Sequence, residues 1–118
     1  GDDHPDTLTS RNNLAYAYRA AGRLGEAIPL FEEVVADCVR VLGADHPHTL
    51  ASRNNLAGAY ESAGRLDEAI TLYEGVLADT RRVLGADHPS TLASRRNLEA
   101  ARRARESGSA SAPGVAEE

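Results

Sequence analysis

At 118 residues the chain has room for one small domain. Hydrophobic residues make up 42 % but aromatics only 4 %, with no Trp, so the core must be aliphatic. The net charge of −5 argues against a generic nucleic-acid binder, and no apolar run approaches the roughly 20 residues that span a bilayer. All basic residues are Arg, which together with abundant Ala and Gly points to a high-GC bacterial genome. Cys38 is the sole cysteine, so no internal disulfide is possible, and a reducing cytoplasm is the simplest location.

The chain repeats itself every 42 residues. His4-Pro5-Asp6-Thr7-Leu8 returns as His46-Pro47-His48-Thr49-Leu50 and as His88-Pro89-Ser90-Thr91-Leu92. Ser10-Arg11-Asn12-Asn13-Leu14 returns as Ser52-Arg53-Asn54-Asn55-Leu56 and as Ser94-Arg95-Arg96-Asn97-Leu98. Residues 1–42 and 43–84 share 29 identities without a gap. A fixed period in this range marks a solenoid, whose unit cannot bury its apolar face alone.

The first predicted helix runs from about Pro5 to about Ala21. Pro suits the first helical turn, where no backbone N–H is needed, and Asp3-His4 are candidate caps. Gly22 ends it in the left-handed conformation that a helix stop favours. The second helix runs from about Leu24 to Leu42 and stops at Gly43. Leu24, Ile28, Phe31, Val35, Cys38 and Leu42 fall on a 4-3-4-3-4 spacing, with Ala27, Val34 and Val41 in an adjoining row. A band this wide needs cover on two sides, one from its own first helix and one from the next unit. The second unit repeats the pair over 43–84, with Asp45-His46 as candidate caps, Gly64 as the stop, and Val76, Leu77, Val83 and Leu84 repeating the apolar scheme.

The third unit departs from the pattern. Ala15 and Tyr18, matched by Ala57 and Tyr60, give way to Glu99 and Arg102. Charges there fit only if no partner helix follows. Residues 85–106 are therefore expected to be a capping helix with Leu92 and Leu98 on its inner side. Residues 107–118, rich in Ser, Gly and Ala, read as a disordered tail. Glu99 and Arg102 should be exposed, and Ala57 and Tyr60 buried. The chain lacks Met, and Gly1 stands in register with Gly43 and Gly85, so a fragment of a longer array is expected. On that expectation, apolar surface near Leu8 would be left uncovered, and a weak homodimer through the N-terminal end would form.

The helix-turn-helix pattern Leu14, Ala15, Tyr18, Ala27, Phe31, returning as Leu56, Ala57, Tyr60, Ala69, Tyr73, resembles the tetratricopeptide repeat. The His-Pro-x-Thr-Leu phrase, the Asn-Asn-Leu-Ala segment and Gly-Arg-Leu-x-Glu-Ala-Ile are similar to the long variant in kinesin light chains, and similar units occur in sensor regions of bacterial nucleotide-switch regulators. The resemblance covers residues 1–106. It implies an all-α, right-handed α-solenoid with a C-terminal cap, whose first helices line a concave groove for an extended protein or peptide ligand.

On that groove face the first helix places Thr9, Asn12, Tyr16 and Arg19, the second unit Asn54, Gly58 and Glu61, and the cap Arg96 and Arg103. An Asn amide offers both donor and acceptor to a peptide main chain; the alternative for Asn12 and Asn54 is a hydrogen bond between repeats. Arg96 would favour a carboxylate, so the peptide is expected to be acidic. Asn13, Asn55 and Asn97 read as structural, and Arg11, Arg53 and Arg95 as packing and salt-bridge residues. The arginine-rich cap has no interleaved aromatics to stack bases, so nucleic acid is disfavoured. His4, His46 and His88 lie a full repeat apart, too far to share an ion, and Cys38 reads as a packing thiol. Neither a metal, a cofactor nor a catalytic constellation is expected. The function indicated is a non-catalytic protein-binding module. A self-association arm or the sensor region of a nucleotide-switch regulator is the alternative.

Overall fold

The structure is a computed structural model that describes residues 5–115, with side chains from 7 to 107. Among the described residues the secondary structure is all helical: α1 (Pro5–Ala20), α2 (Leu24–Leu42), α3 (Pro47–Ser62), α4 (Leu66–Leu84) and α5 (Pro89–Val115). Each helix packs on its neighbours in chain order, and α1 and α3 touch only lightly. The result is an all-α helical solenoid of two helical pairs followed by α5.

The repeated motifs account for the joints. Pro47 opens α3, and the N-cap is His46, whose Nδ1 accepts the His48 amide at 3.0 Å. His88 accepts the Ser90 amide in the same way at 3.0 Å. The imidazoles therefore occupy the cap position that the sequence offered to Asp and His together. Gly43 sits at φ 96°, a left-handed conformation that costs an L side chain, and its carbonyl accepts the Thr49 hydroxyl at 2.8 Å. Thr91 donates to the Gly85 carbonyl at 2.7 Å. The phrase His-Pro-x-Thr-Leu is thus a cap, a first-turn proline, a linker clamp and a core leucine. Gly22 and Gly64, both at φ 79°, end the first helix of each pair as expected.

Two leucine rows show how the layers stack. Leu8, Leu50 and Leu92 face the second helix of their own unit; they are 2 %, 2 % and 37 % exposed. Leu14, Leu56 and Leu98 face the second helix of the preceding unit; they are 48 %, 7 % and 4 % exposed. Each row is uncovered only where its facing helix is absent. Two expectations are corrected by this. Leu8 is not exposed at the N-terminal end but buried with Val34 and Cys38, with Leu42 packed alongside, and the exposed apolar residue there is Leu14. Leu92 is not on the inner side of the cap but exposed, with no helix among the described residues packed over it; Leu98 alone of the pair is buried.

The charged cap positions behave as expected. Glu99 and Arg102 are exposed, and Ala57 is buried beside Ala69, Ile70 and Tyr73. Tyr60 is only half-buried, because its hydroxyl reaches out to Glu32 Oε2 on α2 at 2.8 Å. Arg102 makes the equivalent reach from α5, donating to Glu74 Oε2 at 2.9 Å. A second cap-specific ion pair joins Arg105 to Asp67 at 3.0 Å. Val41 and Val83, expected in the apolar band, are exposed at the C-terminal ends of their helices. α5 continues to Val115, past the expected end near Glu106, and nothing in the packing of the described side chains explains the extension.

Within each pair, an ion pair crosses from first helix to second. Arg11 meets Asp37 at 2.8 Å, and Arg53 meets Asp79 at 2.6 Å. The sequence assigned both arginines to this role. Hydrogen bonds from Arg40 first, and Arg11 second, hold the Asp37 carboxyl below the usual carboxylate range. Arg53 and then Arg82 act on Asp79 in the same sense.

Candidate functional site

The face built by α1, α3 and α5 carries two clefts related by the repeat. The first has a volume of about 120 Å³, a floor of Leu8, Val34 and Cys38, and walls that include Thr9, Asn12 and Asn55. The second has about 140 Å³, a floor of Leu50, Val76 and Thr80, and walls that include Ala51, Asn54 and Ala93. Adding 42 to the floor residues of one gives the floor of the other. Each cleft is mostly apolar with an amide on its wall, and each has space for one small aliphatic side chain.

The asparagines do two things at once. The Asn55 side-chain amide donates to Asn12 Oδ1 at 3.4 Å, and Asn97 donates to Asn54 Oδ1 at 3.4 Å. These are the inter-repeat bonds held open as the alternative for Asn12 and Asn54. The bonds are long, and they use the side-chain oxygens of Asn12 and Asn54, each of which also lines a cleft. Asn55 and Asn97 are half-buried partners in this ladder, whereas Asn13 is exposed.

Further along α1 the face is tighter. The Tyr16 ring stands edge-on to Phe31, with centroids 5.9 Å apart, and its hydroxyl donates to Asn55 Oδ1 at 3.4 Å. Arg19 crosses to α3, where Nε donates to the Ser62 hydroxyl at 3.0 Å. The guanidinium lies over Gly58: a Cβ built there would come within 3.0 Å of Nη1. Gly58 is therefore buried beneath Arg19 and is not an open groove position. Glu61 is half-buried and accepts the Tyr73 hydroxyl at 3.0 Å. Burial, and next the Glu61 carboxylate, push the Tyr73 phenol well above its ordinary value.

Arg96 and Arg103 stand apart from both clefts on the exposed side of α5. Ala93, on the wall of the second cleft, lies one helical turn before Arg96. Among the described residues, no side-chain hydrogen bond or ion pair engages Arg96 or Arg103. The structure thus gathers Thr9 with Asn12, sets Arg19 over Gly58, carries Tyr16 across to Asn55, and gives Asn54 its own cleft. Sequence reasoning missed the cleft floors. Their signal was the recurrence of Leu8, Val34 and Cys38 as Leu50, Val76 and Thr80, which a buried core shares.

Comparison with known proteins fixes the family. The tetratricopeptide repeat pattern matches residues 6–78 and again 51–112. The chain belongs to the tetratricopeptide repeat family. Two solved structures of a Podosopora anserina putative kinesin light chain with nearly identical TPR-like repeats are similar to it. One is 42 % identical with a TM-score of 0.78, covering 90 % of this chain and 50 % of its own. The other, a point-substituted form of the same protein, is 38 % identical with a TM-score of 0.80, covering 99 % and 55 %. This chain therefore spans about half the length of those structures. No curated protein matches.

Tetratricopeptide repeats typically mediate protein–protein interaction and form a scaffold family. No group of three His, Cys, Asp or Glu side chains suited to a metal ion is present among the described residues. No described helix is long and apolar enough to cross a membrane. In this tetratricopeptide array the binding candidates are the two clefts, the amides on their walls and the arginines beyond the second.

Proposed function

We propose that this array is a non-catalytic module that binds an extended acidic peptide across the face of α1, α3 and α5. The observation that carries the reading is the pair of exposed, unengaged guanidiniums of α5, Arg96 one turn and Arg103 about three turns beyond a cleft lined with apolar groups and an amide. An extended chain would set small aliphatic side chains into the clefts. The Asn12 and Asn54 N–H groups would meet its carbonyls, and Arg96 would take a carboxylate in a charge-assisted pair. Affinity would be on the order of micromolar, because two small clefts must offset the ordering of a flexible ligand.

The test is fluorescence anisotropy with a labelled library of extended peptides bearing Asp or Glu and aliphatic residues. Wild type should bind, binding should fall with added salt, and Arg96→Ala should weaken it by about tenfold, the scale of one charge-assisted hydrogen bond. A single-stranded oligonucleotide serves as the polyanion control. Equal binding by wild type and Arg96→Ala, or stronger binding of the oligonucleotide, would overturn the reading.

A further inference from the structure

Four side chains on the open face of α5 alternate in sign. Arg96, Glu99, Arg103 and Glu106 follow one another at spacings of 3, 4 and 3, so they form a single stripe about 15 Å long. All four are exposed, on the side of the helix away from buried Ser94, Leu98 and Ala101. The pattern is not part of the repeat: α3 holds Asn54, Ala57, Glu61 and Gly64 at the same places.

Among the described residues, none of the four has an ion pair or a side-chain hydrogen bond. Elsewhere in the molecule charges three residues apart do close on one another. Arg23 meets Glu26 and Arg65 meets Glu68, both at 2.6 Å, and Arg40 meets Asp37 at 3.0 Å. The next arginines of α5 are committed as well, Arg102 to Glu74 and Arg105 to Asp67. The alternating stripe alone keeps its charges toward solvent.

Its order is a palindrome of opposite sign. Arg96 and Glu106 are equidistant from residue 101, and so are Glu99 and Arg103. A two-fold axis level with Ala101 would set Arg96 of one copy beside Glu106 of another, and Glu99 beside Arg103. The axis repeats both contacts, so four opposite-charge pairs form at once. Sliding one helix by a turn sets Arg against Arg or Glu against Glu, and sliding it by two turns leaves only two pairs. A parallel two-fold sets each residue against itself. The length of α5 agrees with the axis. From Pro89 to Val115 it runs 12 residues to one side of Ala101 and 14 to the other, including the stretch past Glu106 that the packing of the array does not use.

We infer that α5 pairs antiparallel with α5 of a second copy through the Arg96–Glu99–Arg103–Glu106 stripe. The rest of each array stays clear of the contact, because α4 packs on the opposite side of α5 through Ala69, Ile70 and Tyr73. Exposed ion pairs are individually weak, so the dissociation constant is on the order of 100 μM and rises with salt. The inference does not rest on the peptide reading, but it uses the same guanidiniums. A dimer would withhold Arg96 and Arg103 from an acidic ligand.

The test is sedimentation equilibrium of the full chain up to about 1 mM at low and high salt, without peptide, with circular dichroism to verify that each variant is helical. Wild type should dimerise at low salt and associate about tenfold more weakly at about 0.5 M salt. Arg96→Glu faces Glu106 with a like charge twice over and should weaken association by about tenfold or more. Adding Glu106→Arg to Arg96→Glu should restore the dimer. Adding Glu99→Arg instead should not, although the two double variants have the same net charge. A strict monomer at about 1 mM and low salt would overturn the inference. So would association indifferent to Arg96→Glu, or equal recovery in the two double variants. A dimer abolished by Leu14→Glu but untouched by Arg96→Glu would place the contact at the other end of the molecule and overturn it too.

Discussion

Leu50 and Leu92 follow the same His-Pro-x-Thr phrase, yet their truncation should have different costs. Removing three carbons from a leucine forfeits about 2.4 kcal/mol of transfer free energy if the side chain is fully buried, at ~0.8 kcal/mol per methylene. Leu50 is 2 % exposed between α3 and α4, so Leu50→Ala loses nearly all of that and leaves a cavity as well. The expected cost is about 3–4 kcal/mol. Leu92 is 37 % exposed, so roughly two thirds of the transfer term applies, and the space opens to water instead of forming a cavity. The expected cost is about 1.5 kcal/mol. Urea unfolding followed by helical circular dichroism measures both, with an unchanged m-value confirming that the same structure unfolds. Leu92→Ala costing as much as Leu50→Ala would show that the open face of α5 is covered and would refute the end-specific reading of the leucine rows.

Three further outcomes follow from specific contacts. Because Arg partners depress the Asp37 and Asp79 carboxyls, their stabilisation is present above the ordinary carboxylate value near 3.9 and is lost as pH falls through the folded-state value; Asp79→Asn should flatten the acid limb of a stability–pH curve by at most about 1 kcal/mol, and an unaltered limb would count against the Arg53 pair. Burial first, and then the hydrogen bond to Glu32, push the Tyr60 phenol up to about 12, so its contribution is full below pH 10 and lost between 10 and about 12; Tyr60→Phe should reduce the loss of helical signal across that range without abolishing it, since Tyr73 is raised as well. Gly58→Ala should stabilise by up to about 1 kcal/mol from helix propensity, because the crowding atom is the end of the flexible Arg19 side chain; a loss of stability in thermal unfolding would mean that Arg19 is fixed.

The fold was legible because the chain states its pattern more than once. Breaks at Gly22, Gly43 and Gly64 and the 4-3-4-3-4 apolar spacing each specify one element, and the structure returns the helix bounds to within about one residue through Leu84. What periodicity could not supply was direction. Leu8 and Leu14 both sit on apolar stripes of α1, and a one-dimensional pattern does not say which stripe faces its own second helix and which faces the preceding one. Assigning Leu8 and Leu92 to the wrong sides came from that ambiguity. The groove positions were legible as a face but not as contacts. Asn12 and Asn54 bond across to the next unit at a spacing of 43, and Arg19 fills the space above Gly58 at a spacing of 39, separations that no single-helix pattern contains. The capping role was legible for the Asp45-His46 pair, and the structure gives it to the imidazoles of His46 and His88, each accepting the amide two residues on.

The packing of each helix chiefly on its neighbours in chain order has an evolutionary consequence. Duplication of any stretch of 42 residues, wherever it starts, inserts one complete pair of interfaces and leaves those on either side intact. Such an array can lengthen by a single genetic event at almost any phase of its repeat, without waiting for compensating changes elsewhere. Only the final helix resists, since the charge at Glu99 would have to be lost before a partner could follow. The 29 identities between the first two units are what a recent event of this kind would leave behind.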